Sequence, residues 1–390
     1  MAVRKSHSLA SKRPMRTRSN GTSSATRMTR SSFDKPLLYA ALVLTISGFL
    51  ILGSASMALS YKDFGSISYY MGRQFLLGGI IGGALAVACF FLPYRAWKRM
   101  ALPLMIISFI LLALVFIPQI SYSSGGARRW IHLGIFSFQP SEILRLSFII
   151  YLASWLDARR KEVASVSYGM IPFALMIAFI SVFLIMQPDI GTLGVIVATA
   201  GVLYLLGGGK TSQIAALAGL GLAALYIIIQ VAPYRLARIL VFLNPEMDPQ
   251  GIGYQINQAF IAIGSGGMFG RGFGRGLQKY NYLPEPMGDS IFAIFAEEMG
   301  FMGVGMLIAL FLFFLWRGFL IAKHAPDIFG KLLASGLAVS ILIQAFINMA
   351  SISGLLPLTG IALPFISYGG TSLMITLASV GILLNISKYS

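Results

Sequence analysis

The sequence predicts an all-α, polytopic membrane protein, on three observations. Of its 390 residues 57% are hydrophobic and only 11% charged, against roughly 25% charged in a soluble domain. Apolar runs long enough to cross a bilayer recur along most of the chain, each needing about 20 residues. Lys and Arg are also distributed unevenly between alternate connecting segments, as the positive-inside rule requires.

The first 36 residues are set apart. Nine of the 30 Lys and Arg residues precede residue 36, among many Ser and Thr and without an apolar period. This reads as a disordered basic cytoplasmic tail, either a topology determinant touching anionic membrane lipid or a docking site for a cytoplasmic partner. The net charge of +17 is therefore no nucleic-acid signal. The apolar run that follows is too long for a cleavable signal.

Residues 37–390 form the membrane domain. Ten candidate spans follow in order: 37–58, 74–92, 101–118, 139–156, 169–186, 190–207, 212–231, 291–316, 329–350 and 365–386. The fourth carries Glu142 and Arg145, and Gln187-Pro188-Asp189 alone separates the fifth from the sixth. An even count puts both termini on one side. With the N-terminus inside, cytoplasmic segments hold 20 Lys and Arg and outer loops 9. Gly78-Gly79 and Gly82-Gly83 place small residues four apart in the second span, which suits close helix packing.

The one large outer loop, about 232–290, has internal structure. Tyr234 to Phe242 reads as a helix with Arg235 and Arg238 on one face. Asn244-Pro245 through Gly251 is turn chemistry. Ile252, Ile256, Phe260 and Ile263 lie at helical spacing, suiting an interfacial or re-entrant helix. GSGGMFGRGFGRG, residues 264–276, lets the backbone approach something closely.

Several chemistries are excluded. Cys89 is the only cysteine, so disulfides and cysteine-based metal sites are out. His7, His132 and His324 are too dispersed for a shared metal. GGGKTS, residues 207–212, lacks the first glycine and the preceding strand of a phosphate loop.

The informative stretch is YLPEPMGDSIFAIFAEEMG, residues 282–300. It delivers Asp289 to the start of an apolar run with no cation beside it in sequence. A carboxylate there costs about 2.5–3.5 kcal/mol at mid-bilayer. It is either a helix cap or chemistry. Glu297 lies about 80° round an ideal helix from Asp289, so it alone of the next two acids could share that face. In GARRWIHLGIFSFQPSEILRL, residues 126–146, Arg128 and Arg129 beside Trp130 suit a phosphate at headgroup level, or interfacial anchoring alone. Glu142 and Arg145, three apart, suit an ion pair. Asp189 either caps the sixth span or faces the same outer cavity as Asp289. Near the C-terminus Gln344, Asn348, Thr359, Ser367, Tyr368, Thr371 and Ser372 bracket an outer turn. They suit sugar hydroxyls or helix-to-helix hydrogen bonds.

With these residues assembled, the chain resembles the SEDS family, the group containing FtsW, RodA and SpoVE. The resemblance rests on GARRWIHLG, FQPSEILRL, QPDIGT, FLNPEMDPQGIGYQ, AIGSGGMFGRG, LPEPMGDSIFAIFAEEMG and LPFISYGGTS in that order. It implies ten spans, cytoplasmic termini in the bacterial inner membrane, and a peptidoglycan glycosyltransferase. Such an enzyme polymerises lipid II on the outer face and releases undecaprenyl pyrophosphate. Its implied partners are the undecaprenyl-linked glycan, a class B penicillin-binding protein (an FtsI-like transpeptidase) and other divisome proteins. The family's catalytic aspartate falls on Asp289, the expected general base. Met287-Gly288 stands where many RodA-like members carry His-Thr, which leans toward the FtsW branch. Arg145 stands where Lys is common. Arg128, Arg129, Arg235, Arg238 and Arg271, or a divalent cation (Mg or Mn) held with a carboxylate, are candidates for the leaving diphosphate. Glu285, Gln344, Asn348, Ser367 and Thr371 are candidates for the sugars. Glu142, Arg145, Asp189 and Glu297 are supporting charges. The rival expectations are a lipid II flippase and a non-catalytic divisome scaffold.

Overall fold

The computed structural model describes residues 1–3, 33–124, 127–133, 136–231, 233–248 and 251–390. The expected tail therefore lies mostly outside the described residues. The first helix, α1 (Lys35–Phe64), begins slightly before the expected boundary because Asp34 caps it, accepting from Leu37 N at 2.8 Å. Gly65 ends it in the left-handed conformation that glycine adopts without penalty.

The remaining helices are α2 (Tyr69–Phe91), α3 (Tyr94–Leu114), α4 (Pro140–Ala158), α5 (Val166–Met186), α6 (Ile190–Leu206), α7 (Thr211–Val231), α8 (Pro233–Leu243), α9 (Ile252–Gly266), α10 (Ile291–His324), α11 (Ile328–Ile352) and α12 (Gly370–Ser387). Eight of the described helices are long and apolar enough to cross a membrane: α1, α2, α3, α5, α7, α10, α11 and α12. The other two expected spans are helices of a different kind. α4 carries Glu142, Arg145 and Asp157, and α6 has 17 residues, about 25 Å of rise against about 30 Å of hydrocarbon.

Several ends move for local reasons. α3 starts at Tyr94 rather than residue 101, because Pro93 precedes it and Arg95, Lys98 and Arg99 ride its first turns. α12 starts at Gly370 because residues 365–369 form a turn with Phe365 at φ 67°. The fold is not wholly helical either. Strands β1 (Ser121–Ser124), β2 (Ala127–Leu133) and β3 (Phe136–Phe138) form a small antiparallel sheet between α3 and α4, with Ile131 opposite both Ser121 and Phe138.

α11 and α12 form the centre, with 78% and 89% of their apolar windows buried inside the protein, while α7 stands at the edge with 6%. Glycine permits the close contacts. A side chain on Gly381 would strike the Ala86 carbonyl at 2.2 Å, and one on Gly48 the Phe365 carbonyl at 2.1 Å. Gly78 and Gly82 lie against Leu373 and Met374 of α12, as the small-residue spacing in the second span predicts.

The structured outer loop ties itself to a break in α10. At Gly300 the backbone leaves helical geometry (φ 64°, ψ −169°). The freed groups pair with the glycine-rich loop: Arg271 N and Gly272 N donate to the carbonyls of Glu297 and Glu298, while Phe301 N and Met302 N donate to those of Gly267 and Met268. Irregular backbone at a membrane is tolerated only when its polar groups are satisfied within the protein, and this loop satisfies them. A side chain at Gly270 would meet the Glu298 carbonyl at 2.1 Å and one at Gly266 the Ala296 carbonyl at 2.1 Å, so glycine is required by distance at these two positions.

Candidate active site

The site grows from the turn before α10. In Pro284-Glu285-Pro286, Glu285 adopts φ 48°, and its carbonyl accepts from Gly288 N and Ser290 N. This folds the chain back so that Asp289 precedes the helix instead of lying in it. Asp289 caps nothing: α10 has Ser290 at its N-cap position and no side-chain capping bond. One carboxylate oxygen, Oδ1, accepts from Gln255 Nε2 of α9 at 3.3 Å and from Ser290 Oγ at 3.4 Å. Gln255 also donates to Ser290 Oγ at 2.9 Å. The other oxygen, Oδ2, lies 4.0 Å from where a side chain on Gly360 would begin.

The turn is fixed from below. Asn348 Nδ2 of α11 donates to the Asp289 carbonyl at 2.9 Å and to the Ile361 carbonyl at 2.8 Å. Ser367 Oγ donates to the Gly288 carbonyl at 2.7 Å, Tyr368 N to the Met287 carbonyl, and Gln344 Nε2 to the Ala362 carbonyl. Thr371 Oγ1 accepts from Gln139 N. Gln344, Asn348, Ser367 and Thr371 are all buried. The groups that donate here hold the backbones that frame Asp289, because glycine- and proline-rich turns leave carbonyls that only neighbouring side chains can reach, while Gln344 Oε1 and Asn348 Oδ1 are buried without a hydrogen-bond partner among the described residues.

Asp289 has its carboxyl pushed up to about 6, chiefly by burial and secondly by the Glu285 carboxylate, with the bonds from Gln255 and Ser290 acting in the opposite sense. Glu285 is exposed and leans over Gly288, and its charge acts on the Asp289 carboxyl.

The expected arginines whose side chains are described bond to protein groups. Arg129 donates to the carbonyls of Gln187 and Pro188 and lies 4.0 Å from Asp189. Arg238 Nη1 donates to the Leu358 carbonyl at 3.1 Å. Arg271 lies 3.8 Å from Glu297. The side chains of Arg128 and Arg235 lie outside the described residues. Asp189 is buried, accepts from Thr192 N as a cap, and takes a 2.9 Å bond from Ser141 Oγ. Arg145 and Glu142 form the expected buried pair at 2.8 Å.

Glu297 does not share the site with Asp289. It accepts from Leu277 N and Gln278 N. Glu298 accepts from Gly274 N, Ser54 Oγ and the buried Lys279 ammonium, the last at 2.7 Å. Both acids lie before the break at Gly300, and their side chains and carbonyls alike meet the glycine-rich loop.

Two participants, Gln255 and Arg73, went unrecognised in the sequence, whereas Tyr368 was among the polar residues expected around the C-terminal turn. Gln255 binds the carboxylate directly. Tyr368 and Arg73 lie beside the base turn: burial pushes the Tyr368 phenol up, while Arg73 beside it pulls the other way. Gln255 lies in FLNPEMDPQGIGYQ, and Arg73 stood among the outer charges, but neither carries a local signal for the pairing.

For a divalent cation the fit is partial. Among the described residues no group of three or more metal-ligating side chains occurs. Glu285 and Asp289 supply two neighbouring carboxylates, a donor set that suits Mg or Mn when substrate phosphates and water complete the shell.

The profile described as "Cell cycle protein", covering FtsW, RodA and SpoVE, matches residues 35–390. The chain belongs to the FtsW/RodA/SpoVE family. It is 42% identical over 365 residues to Stage V sporulation protein E of Bacillus subtilis, covering 93% of this chain and 98% of that protein. It is 41% identical over 361 residues to the probable peptidoglycan glycosyltransferase FtsW of Trichlorobacter lovleyi, covering 92% and 93%. Its fold matches a chain solved in work on the structural coordination of polymerization and crosslinking by a peptidoglycan synthase complex, with TM-score 0.75, 31% identity and coverage of 91% and 97%. It also matches the rod shape determining protein RodA of Thermus thermophilus, with TM-score 0.67, 28% identity and coverage of 91% and 96%. Within the FtsW/RodA/SpoVE family the higher identities to FtsW and SpoVE agree with the lean that Met287-Gly288 suggests.

Proposed function

We propose that this integral membrane protein is a peptidoglycan glycosyltransferase of cell division, polymerising lipid II at the outer face of the bacterial cytoplasmic membrane with both termini cytoplasmic. The observation that carries the reading is Asp289: a carboxylate tuned to about 6, anchored by one oxygen, on a turn braced by three separate elements. A positioned base of that pKa is mainly ionised at neutral pH and contributes about 10²–10⁴-fold.

In the reaction, the 4-hydroxyl of the acceptor sugar attacks the anomeric carbon of the growing strand. Its proton passes to Asp289 as the new C–O bond forms. The bond from that carbon to diphosphate breaks, and undecaprenyl pyrophosphate leaves with the electron pair. Direct displacement inverts the anomeric centre, as in the single-step logic of inverting glycosidases. The departing diphosphate needs positive charge, for which Arg73 beside Tyr368 is a candidate. A divalent metal held by Glu285 and Asp289 would supply Lewis-acid charge there. The poorly packed α7 gives isoprenoid chains an open flank on which to lie. A class B penicillin-binding protein is the partner this reading implies, because a relative of the same fold was solved in work on a peptidoglycan synthase complex.

The test is polymerisation of fluorescent lipid II by purified protein, wild type and Asp289→Asn, each with and without a cognate penicillin-binding protein. A polymer ladder from wild type that drops at least about 100-fold in Asp289→Asn is expected. An unchanged ladder in the variant overturns the base assignment. Labelled lipid crossing leaflets without polymer favours a flippase, and partner binding without either activity favours a scaffold.

A further inference from the structure

Beside the base turn lies a run of aromatic rings that the catalytic arrangement does not use. Tyr368, whose backbone N–H is bonded to the Met287 carbonyl, meets the ring of Tyr70 edge-on at 5.4 Å. Tyr70 meets Tyr69 at 5.6 Å and Phe64 at 5.5 Å, and Phe64 stacks on Tyr69 at 3.6 Å. The Tyr70 hydroxyl donates to Asp63 Oδ2 at 2.8 Å, which fixes the central ring. Phe64 and Tyr69 are 49% and 39% exposed. The run begins beside the turn that carries Asp289 and ends at the C-terminal end of α1.

Rings that merely anchor a protein at the headgroups are scattered round its circumference, each with its polar tip toward water. These four instead form one connected cluster: Phe64, Tyr69 and Tyr70 touch one another, and Tyr70 joins them to Tyr368 beside the turn that carries Asp289. The apolar face of a pyranose, with its axial C–H bonds, packs on an aromatic face, while its hydroxyls need nearby polar groups such as Asp63 and the tyrosine hydroxyls. A donor strand bound at the membrane by its diphosphate must extend its older sugars outward, along this direction.

We propose that Phe64, Tyr69, Tyr70 and Tyr368 form a saccharide platform for the already polymerised part of the glycan, keeping the strand on the protein between additions. The inference rests on the glycosyltransferase reading. It requires a β-1,4-linked N-acetylhexosamine chain as ligand, independent of lipid tail and diphosphate.

Two measurements on intact detergent-purified protein test it. Chitotetraose, which has the sugars without lipid or phosphate, is titrated against wild type and the double variant Phe64→Ala/Tyr69→Ala. Strand length is read on gels with lipid II as substrate. The double variant is expected to bind chitotetraose about tenfold more weakly, equivalent to about 1.4 kcal/mol. Its product is expected to shorten more than its first coupling slows. Tyr69→Trp should restore both, and Tyr39→Ala, an exposed ring at the opposite end of α1, should change neither. Wild-type strand length and chitotetraose affinity in the double variant overturn the platform, as does equal shortening by Tyr39→Ala. Should the double variant fail to fold, Phe64→Ala alone carries the same two readouts. If wild type makes no polymer, the glycosyltransferase reading fails, and chitotetraose binding then decides the platform alone.

Discussion

At the scale of single residues, the site turns on how two carboxylates influence each other. Asp289 is useful as a base only when ionised, and burial together with Glu285 pushes its carboxyl up to about 6. Polymerisation should therefore rise with pH through an acid limb centred near 6, then level off; a flat profile from pH 5 to 8 would remove Asp289 from the base role. Glu285→Gln deletes a charge that raises the Asp289 value, so its acid limb should shift to lower pH in the same rate profile. The stability consequence has the opposite sense to the catalytic one. A folded-state pKa above the unfolded value means the charged form is disfavoured by folding, so the penalty is complete above about pH 6 and fades as pH falls toward the usual carboxylate range. Asp289→Asn should accordingly melt higher than wild type at pH 8, with the gap closing by pH 4 in thermal unfolding in detergent.

At the scale of elements, the broken α10 and the glycine-rich loop form one unit. The buried Lys279–Glu298 pair, with Ser54 and the loop amides, holds together a helix whose own ladder is interrupted at Gly300. Removing one member strands a buried charge, at a cost of about 3–5 kcal/mol. Lys279→Met should lower stability by that order in unfolding experiments, and the pair replacement Lys279→Met/Glu298→Gln should recover part of the loss. Gly300→Ala should be at least as damaging as an ordinary core change. A side chain there would meet Gly270 N at 2.2 Å, on backbone with φ +64°, and nothing rigid on either side can give way.

At the scale of the whole molecule, the bundle is uneven by design of its packing. α11 and α12 are enclosed by neighbours, whereas α7 faces outward over nearly its whole length. Lipid tails are as apolar as leucine, so buried residues are held by close packing and not by escape from water. Leu337→Ala in α11, a fully enclosed side chain, should cost about 2–5 kcal/mol through the cavity it leaves. Leu222→Ala on α7, 69% exposed, should fall within about 0.5 kcal/mol. Equal melting temperatures for the two variants would contradict this division between core and flank.

Hydrophobic length and glycine spacing are local properties, and they sufficed for the eight helices long and apolar enough to span, the helical segments of the long loop before α10 and the contact between α2 and α12. The acid on its proline-bearing turn was legible for the same reason: an ionisable group beside an apolar run is conspicuous wherever it falls. The partners of each polar group were not legible, because pairing depends on distances between segments hundreds of residues apart. Glu297 and Glu298 turn to amides of the glycine-rich loop that precedes α10. Arg129, Arg238 and Arg271 are drawn to protein oxygens that no neighbouring residue announces. Gln255 meets Asp289, and Arg73 meets Tyr368, across 34 and 295 positions of chain. Sequence alone specified which residues had to be in or beside the membrane; three-dimensional packing decided which of them satisfy one another and which are left to meet a substrate.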